Sequence, residues 1–284
     1  EEGFLQASRW YENWGYNWLY YRDIFLFARE HKLPMFALNA PRDVVTAVRK
    51  KGFKNLTPEE ASHIPTDIDT SSPEHRTLFK SYFEGGGDAM HSGMTDAQWD
   101  SMIAAQSTWD ATMAFHAVKA FQEHGGKDAV MVVLVGSGHV VYGLGIQYQA
   151  QYQDARHFQG KIATVVPVNV RDGEGHEVKS VQASYADFVW GLPAESDPLY
   201  PSLGLSTNPV EGEKALKVIL VSAGTPAAKA GAQVGDVIVS LDGAAVPDKE
   251  TLNRLVAAKR WGDEAVLAVK RGEEMKTLRM ILRR

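Results

Sequence analysis

The run Ala129–Ile146, AVMVVLVGSGHVVYGLGI, constrains this chain more than any other stretch. Its β-branched, apolar first half (Ala129–Val135) predicts a buried strand of a parallel sheet. The strand breaks at once into Gly136-Ser137-Gly138-His139. Glycines there allow a sharp turn and close approach of a ligand. His139 is thereby expected at the carboxyl end of a strand, the edge at which open α/β sheets bind ligands. An imidazole in that place can ligate a metal, move a proton or meet a carboxylate.

The rest of the first two thirds repeats the strand–helix alternation. Trp10, Trp14, Trp18, Tyr21, Phe25 and Ala28 recur at three- and four-residue spacing, predicting one helix over Ser8–His31 with a core-facing aromatic stripe. Leu33–Leu38 predicts a short buried strand, followed by a helix from Pro41 to Lys51 that stops at Gly52. Thr57…Glu60 and Thr95…Gln98 have capping-box spacing. The second opens a long helix, Asp96–His124, closed by Gly125-Gly126. A helix from Ser72-Pro73 to the Gly85–Gly87 run, a helix over Tyr142–Gln153 and strands at Lys161–Val168 and Ala186–Trp190 complete the set. The expected fold class is therefore α/β: a mainly parallel sheet with helices on both faces.

After Trp190 the texture changes. The Pro-rich stretch 193–199 is expected to link a first domain, 1–192, to a second, 200–284. Strand-like segments at Leu203–Thr207, Lys217–Ser222, Asp236–Leu241, Ala265–Lys270 and Lys276–Leu282 surround one helical segment, Asp248–Arg260. They predict a small antiparallel β-rich domain. Charge divides along the same line: Leu199–Arg284 holds 13 Lys+Arg against 10 Asp+Glu, while the whole chain is at -5. Neither part is basic enough for nucleic acid to be the main partner. The chain has no Cys, which excludes thiolate metal sites, disulfides and a cysteine nucleophile. No apolar run is long enough to span a bilayer. The start at Glu1-Glu2-Gly3 is expected to be a processed or trimmed one.

Two resemblances follow from these residues. The string Ser202-Leu203-Gly204-Leu205, the run VSAGTPAAKAGAQVGDVIVSLDGAAV (Val221–Val246) and the helix Asp248–Arg260 resemble a bacterial-type PDZ domain. That resemblance implies a groove in which a partner's C-terminal peptide adds as a strand. Its carboxylate would meet amides of the Leu203-Gly204-Leu205 loop, with Leu252, Leu255 and Val256 lining the groove. Alternatively, the module only packs on its neighbour.

The pieces WYENWGYNWLYY (Trp10–Tyr21), FALNAP (Phe36–Pro41), AAQSTWDATMA (Ala104–Ala114), GSGHVVYGLGI (Gly136–Ile146) and ADFVW (Ala186–Trp190) resemble the ChaN-like haem-binding family, of one superfamily with Tiki and erythromycin-esterase-like hydrolases. The family's opening strand with its Gly-Glu-x-x-His motif has no counterpart here. Gly173-Glu174-Gly175-His176 matches it only superficially, so the first strand and helix are expected to be missing.

Two strand ends then deliver Asn39 and His139 to one edge. The helix Asp96–His124 presents Gln106, Asp110 and Met113 on one face, with Trp109 beside them. Asp110 and Gln106 either line the ligand pocket with Gly136 and Gly138 or merely hold the GSGH loop. The resemblance implies haem as cofactor, with Tyr142 or His139 as the metal ligand and Tyr20 and Tyr21 as other candidates. His91, flanked by Met90 and Met94, sits in a loop that can close over a flat ligand. His31, His63, His75, His124 and His157 lie in polar stretches and are expected at the surface.

The function implied is an envelope haem or iron-uptake protein, bacterial periplasmic or membrane-associated and lipoprotein-like, whose PDZ module docks a partner tail. The alternatives are a divalent-metal-dependent hydrolase (peptidase or esterase) using His139, and a scaffold that has lost its site. A homodimer is compatible with each.

Overall fold

In the computed structural model, residues 1–84, 94–126, 128–153, 161–171, 175–193 and 199–283 are described. The Gly85–Gly87 run, Met90 and His91, His157, Gly173 and Glu174, and most of the expected linker lie outside them. The chain forms two compact units: Glu1–Pro34 with Glu195–Arg284, and Met35–Ala194.

The N-terminal aromatic run does not make one helix. It forms α1 (Glu2–Ala7), α2 (Trp10–Asn13), a 3-10 turn (Trp18–Tyr20) and α3 (Arg22–Glu30). Arg9 (φ 47°) and Gly15 (φ 83°) take left-handed backbone, and Asn17 caps the 3-10 turn by accepting from Leu19 N–H. The chain thus bends twice, and the stripe closes into a cluster instead of running along a helix face. Trp10 and Trp18 are buried, with ring centroids 4.9 Å apart, and Phe25 packs 4.9 Å from Trp18. Aromatic pairs of this kind add about 0.5–1.5 kcal/mol each beyond the area they bury.

In the second unit α4 (Arg42–Lys51) ends at Gly52, whose φ is 74°. Then come α5 (Pro58–Ala61), α6 (Pro73–Glu84), α7 (Asp96–His124) and α8 (Ile146–Gln153). The capping boxes at Thr57/Glu60 and Thr95/Gln98 both form. The 29-residue α7 is the axis of this unit. It buries Ile103, Ala111, Met113 and Ala114 together with Ser107, Thr108, Asp110 and Thr112. Small residues there let α4 and α8 approach closely. Ile146 and Ala150 of α8 pack on Met113 and Ala114, and Val45 and Ala40 pack on Ala105.

Among the described residues the parallel sheet has two strands, β1 (Val165–Asn169) and β2 (Phe188–Leu192), in register Val165↔Phe188. The α/β class stands, but the two strands expected to deliver the site do not pair. Leu33–Ala37 is irregular and exposed. Ala129–Val135 makes no ladder among the described residues: Val130, Val132 and Leu134 are exposed, while Met131, Val133 and Val135 line a groove of about 860 Å³ against α7 and 161–165. A parallel strand is buried only when it is paired along its edges and covered on both faces. Hydrophobicity alone did not supply those partners.

The second antiparallel body forms as expected. Strands β3 (Leu205–Pro209), β4 (Leu216–Val221), β5 (Val237–Leu241), β6 (Ala244–Ala245), β7 (Glu264–Arg271) and β8 (Glu274–Ile281) make a sheet of order β3-β4-β5-β7-β8, with β6 beside β5. Helices α9 (Pro226–Lys229) and α10 (Lys249–Ala257) close it. Alternate residues Leu216, Val218, Ala265, Leu267 and Val269 point into one core with Ile238, Leu241 and Leu282. The N-terminal segment clasps the outer side of α10. Glu12 N–H donates to the Glu250 carboxylate (3.0 Å), Asn253 Nδ2 to Tyr11 O (3.0 Å) and Asn17 Nδ2 to Ala257 O (3.4 Å).

Asp236, 1% exposed, is held by a two-pronged Arg271 contact at 2.7 and 2.8 Å and by Gln233 N–H. The Arg271 guanidinium keeps its carboxyl below the usual range. A depressed folded-state pKa gives stability that is present above the unfolded value of about 3.9 and is lost as pH falls through the folded one. Arg271→Leu is expected to cost about 3–5 kcal/mol, because it strands a buried carboxylate. Faster hydrogen exchange of β5 and β7 amides in the full chain, with a weaker acid limb, checks this.

Candidate functional site

The site grows out of the middle of α7. Asp110 is fully buried, and a buried carboxylate needs partners on both oxygens. His139 Nδ1 lies 2.5 Å from Oδ1. Gln106, one turn before Asp110, puts Nε2 3.4 Å from Oδ2 and 3.0 Å from His139 Nδ1. Burial raises the Asp110 carboxyl above its ordinary value, and the His139 hydrogen bond opposes that. Asp110, Gln106 and His139, each singled out from sequence, thus form one polar network.

The GSGH segment is a 3-10 turn, Ser137–His139, followed by another at Val141–Gly143. The left-handed conformation falls on Tyr142 (φ 59°) and Gly143 (φ 68°). Gly136 is extended (φ -62°), and an added Cβ there or at Gly138 would meet only ordinary contacts. The turn is therefore not demanded by Gly136 and Gly138, as the sequence had implied. The residue that must be glycine is Gly145, where a Cβ would overlap the His139 carbonyl oxygen and sit 2.7 Å from its carbon.

Tyrosines surround this loop. Tyr142 stacks edge-on against Tyr185 at 5.4 Å, and its N–H donates to Tyr185 O (2.9 Å). Tyr82, on α6, lies against Gly138. Desolvation pushes the Tyr82 phenol up, and Tyr185, Tyr142 and Asp110 push it the same way. His139 keeps 24% of its side chain exposed.

His75 corrects the sequence reading outright: it is 4% exposed, not a surface histidine, and its Nε2 lies 3.5 Å from Asp110 Oδ2. Burial holds its imidazole below the ordinary value. Helical spacing was the available signal, since His75, Phe79 and Tyr82 fall on one stripe of α6. Tyr185 had no local signal. His31, His63 and His124 are exposed, as expected.

Two residues expected in the cluster stand outside it. Asn39 is exposed, and its Oδ1 accepts from Ala40 N–H (2.9 Å). Trp109 packs in the core between the Met113 and Val45 clusters, its buried indole N–H having no partner among the described residues. Tyr20 and Tyr21 belong to the other unit, Tyr20 stacking on Tyr200.

In that unit, Leu203 and Leu252 are core residues, while Leu205, Leu255 and Val256 are half-buried against the core. The Leu203 and Gly204 carbonyls accept from Ala227 and Ser222 N–H, both at 3.0 Å. Among the described residues neither the Leu203 nor the Gly204 N–H donates to a protein acceptor. The loop is thus fixed with its amides available to an anion.

Among the described residues no three His, Asp or Glu side chains gather to hold a metal ion, and no helix is long and apolar enough to cross a membrane. The donors at His139, Tyr142, Tyr82 and Tyr185 do fit haem, whose iron takes a single His or Tyr.

No curated protein matches the chain. Solved structures that match include the HtrA-type protease AlgW with a decapeptide (24% identity, 30% of this chain and 29% of that one, TM-score 0.28). Another is the HtrA3 PDZ domain bound to a phage-derived ligand (20%, 28% and 83%, 0.27). A third is the serine endoprotease from Yersinia pestis (25%, 30% and 29%, 0.26). The chain spans under a third of the HtrA-type protease chains it matches. A PDZ family model covers residues 201–282. The model for haem-binding uptake proteins (Tiki superfamily, ChaN) covers residues 1–149, more than half of the chain. The protein therefore belongs to the ChaN family of haem-binding uptake proteins and carries a PDZ domain.

Proposed function

We propose that this protein binds haem at the His139 loop and uses its PDZ domain to dock the C-terminal tail of a protein partner, at the bacterial periplasm or membrane-associated cell envelope. One observation carries the haem reading: His139 has one nitrogen committed to a buried carboxylate while about a quarter of its side chain, 24%, stays exposed. That is how a metal-ligating histidine is held, with its second nitrogen turned to the metal. Haem, when bound, supplies an iron open to axial ligation and two carboxylates. His139 Nε2 would hold the iron in this arrangement, with the Tyr142 phenolate as the alternative. No observation favours the hydrolase reading over this one.

Hemin titrated into the full chain is expected to give a shifted Soret band. His139→Ala should weaken binding by at least the roughly 10–100-fold that loss of a supporting contact costs. Tyr142→Phe should alter the visible bands if its phenolate ligates. A featureless titration of the wild-type chain removes the proposal.

A further inference from the structure

His75 is a buried histidine that the haem reading does not require. A chain of hydrogen bonds delivers it. Gln149, itself fully buried, clamps the backbone of Asp69 by accepting from its N–H (3.2 Å) and donating to its carbonyl (2.6 Å). The Asp69 side chain accepts from Ser71 and from Tyr148, whose phenol it pushes up to about 12. Three residues on, Ser72 Oγ accepts from His75 N–H (3.1 Å) and starts α6. This fixed entry sets the His75 ring against Asp110 Oδ2 at 3.5 Å.

Among the described residues Asp110 Oδ2 is otherwise approached only by the Gln106 amide, at 3.4 Å. Gln106 is also 3.0 Å from His139 Nδ1, so it spans both partners and fixes neither. Nδ1 either accepts from the Gln106 amide N–H at 3.0 Å or donates to the carboxylate at 2.5 Å, and the charge-assisted bond to the carboxylate is the stronger. That choice holds only while the carboxylate keeps its plane. With His75 removed, a buried oxygen is left to Gln106 alone, and the carboxylate turns toward it and away from Nδ1.

We infer that His75 is a positioning residue: by engaging Asp110 Oδ2 it keeps Oδ1 on His139 Nδ1–H and so leaves His139 Nε2 as the unprotonated nitrogen. The inference rests on the haem reading only for what Nε2 meets, because the tautomer belongs to the ligand-free chain.

Long-range ¹H–¹⁵N NMR of the full chain with labelled histidine tests it first, without hemin. His139 should be the Nδ1–H tautomer in wild type, shift toward Nε2–H in His75→Ala, and return in His75→Gln, whose amide can donate to the same oxygen. An Nε2–H tautomer in wild type, or no change in His75→Ala, overturns the role. Since His75→Ala opens a cavity, His75→Gln with a native circular dichroism spectrum decides if the alanine variant unfolds: it must keep the Nδ1–H form. Hemin titration of the same variants should then show about 10–100-fold weaker binding for His75→Ala, recovered by His75→Gln. Where wild type binds hemin, an equal affinity in His75→Ala also overturns it. If wild type binds no hemin while the tautomer shifts as stated, the haem reading falls and the positioning role stands.

Discussion

Gly145→Ala is expected to displace the His139 loop and to weaken hemin binding about as severely as removing the imidazole. The added Cβ would overlap the His139 carbonyl oxygen and stand 2.7 and 3.1 Å from its carbonyl carbon and Cα. Those are backbone atoms, so no flexible side-chain end can move aside. Overpacking of this kind costs about 1–3 kcal/mol. The relief available is a shift of His139 itself, which pulls Nδ1 off Asp110. Gly136→Ala and Gly138→Ala are the comparison, since their nearest atoms lie at 3.7 Å and neither has positive φ. Both should keep near wild-type affinity and melting temperature. Hemin affinity and thermal unfolding of the three variants check this, and a Gly145→Ala chain indistinguishable from the other two contradicts it.

Gly204→Ala should be as damaging to tail docking. At φ +80° an alanine pays about 1–2 kcal/mol for left-handed backbone. Its Cβ would also fall inside the Thr225 side chain, which is anchored by Oγ1 donating to Ser222 O at 2.6 Å. The Leu203-Gly204-Leu205 loop must then open, and its amides lose their common direction. Binding of a C-terminal peptide, measured by calorimetry on the full chain, should drop at least tenfold, with a loss of about 2–4 kcal/mol in stability. Adding Thr225→Gly should recover the part due to overlap and leave the part due to φ. Full peptide affinity in Gly204→Ala would show that the carboxylate does not use this loop.

What was legible in the sequence was whatever local chemistry decides. Thr95, Gln98 and Gly125 bound α7 to the residue, because capping is settled within one turn. The PDZ strands were legible because alternation survives into burial, as along β7. Gln106, Asp110 and His139 were found because a carboxylate inside an apolar helix must be partnered. The misplacements were tertiary. Trp10, Trp14 and Trp18 have helical spacing, yet Gly15 and Asn17 turn the chain, and clustered rings gain as much at a bend as along a helix. Ala129–Val135 looked buried because β-branched runs usually are, but burial depends on ladder partners far away in sequence. His75 was lost to its polar neighbours Glu74 and Arg76, which point away while the imidazole points in.

The clasp of the N-terminal segment on α10 has an optical consequence. Trp10 and Trp18 and their neighbours pack with Ala257 at the end of that helix, and Tyr11 O holds Asn253 in its middle. Any tail that shifts α10 as it enters must therefore disturb an indole environment nearly the whole sequence away. Intrinsic emission of the full chain becomes a label-free gauge of groove occupancy, and a fragment cut at Tyr200 would lose that aromatic cluster and keep Trp261 as its indole.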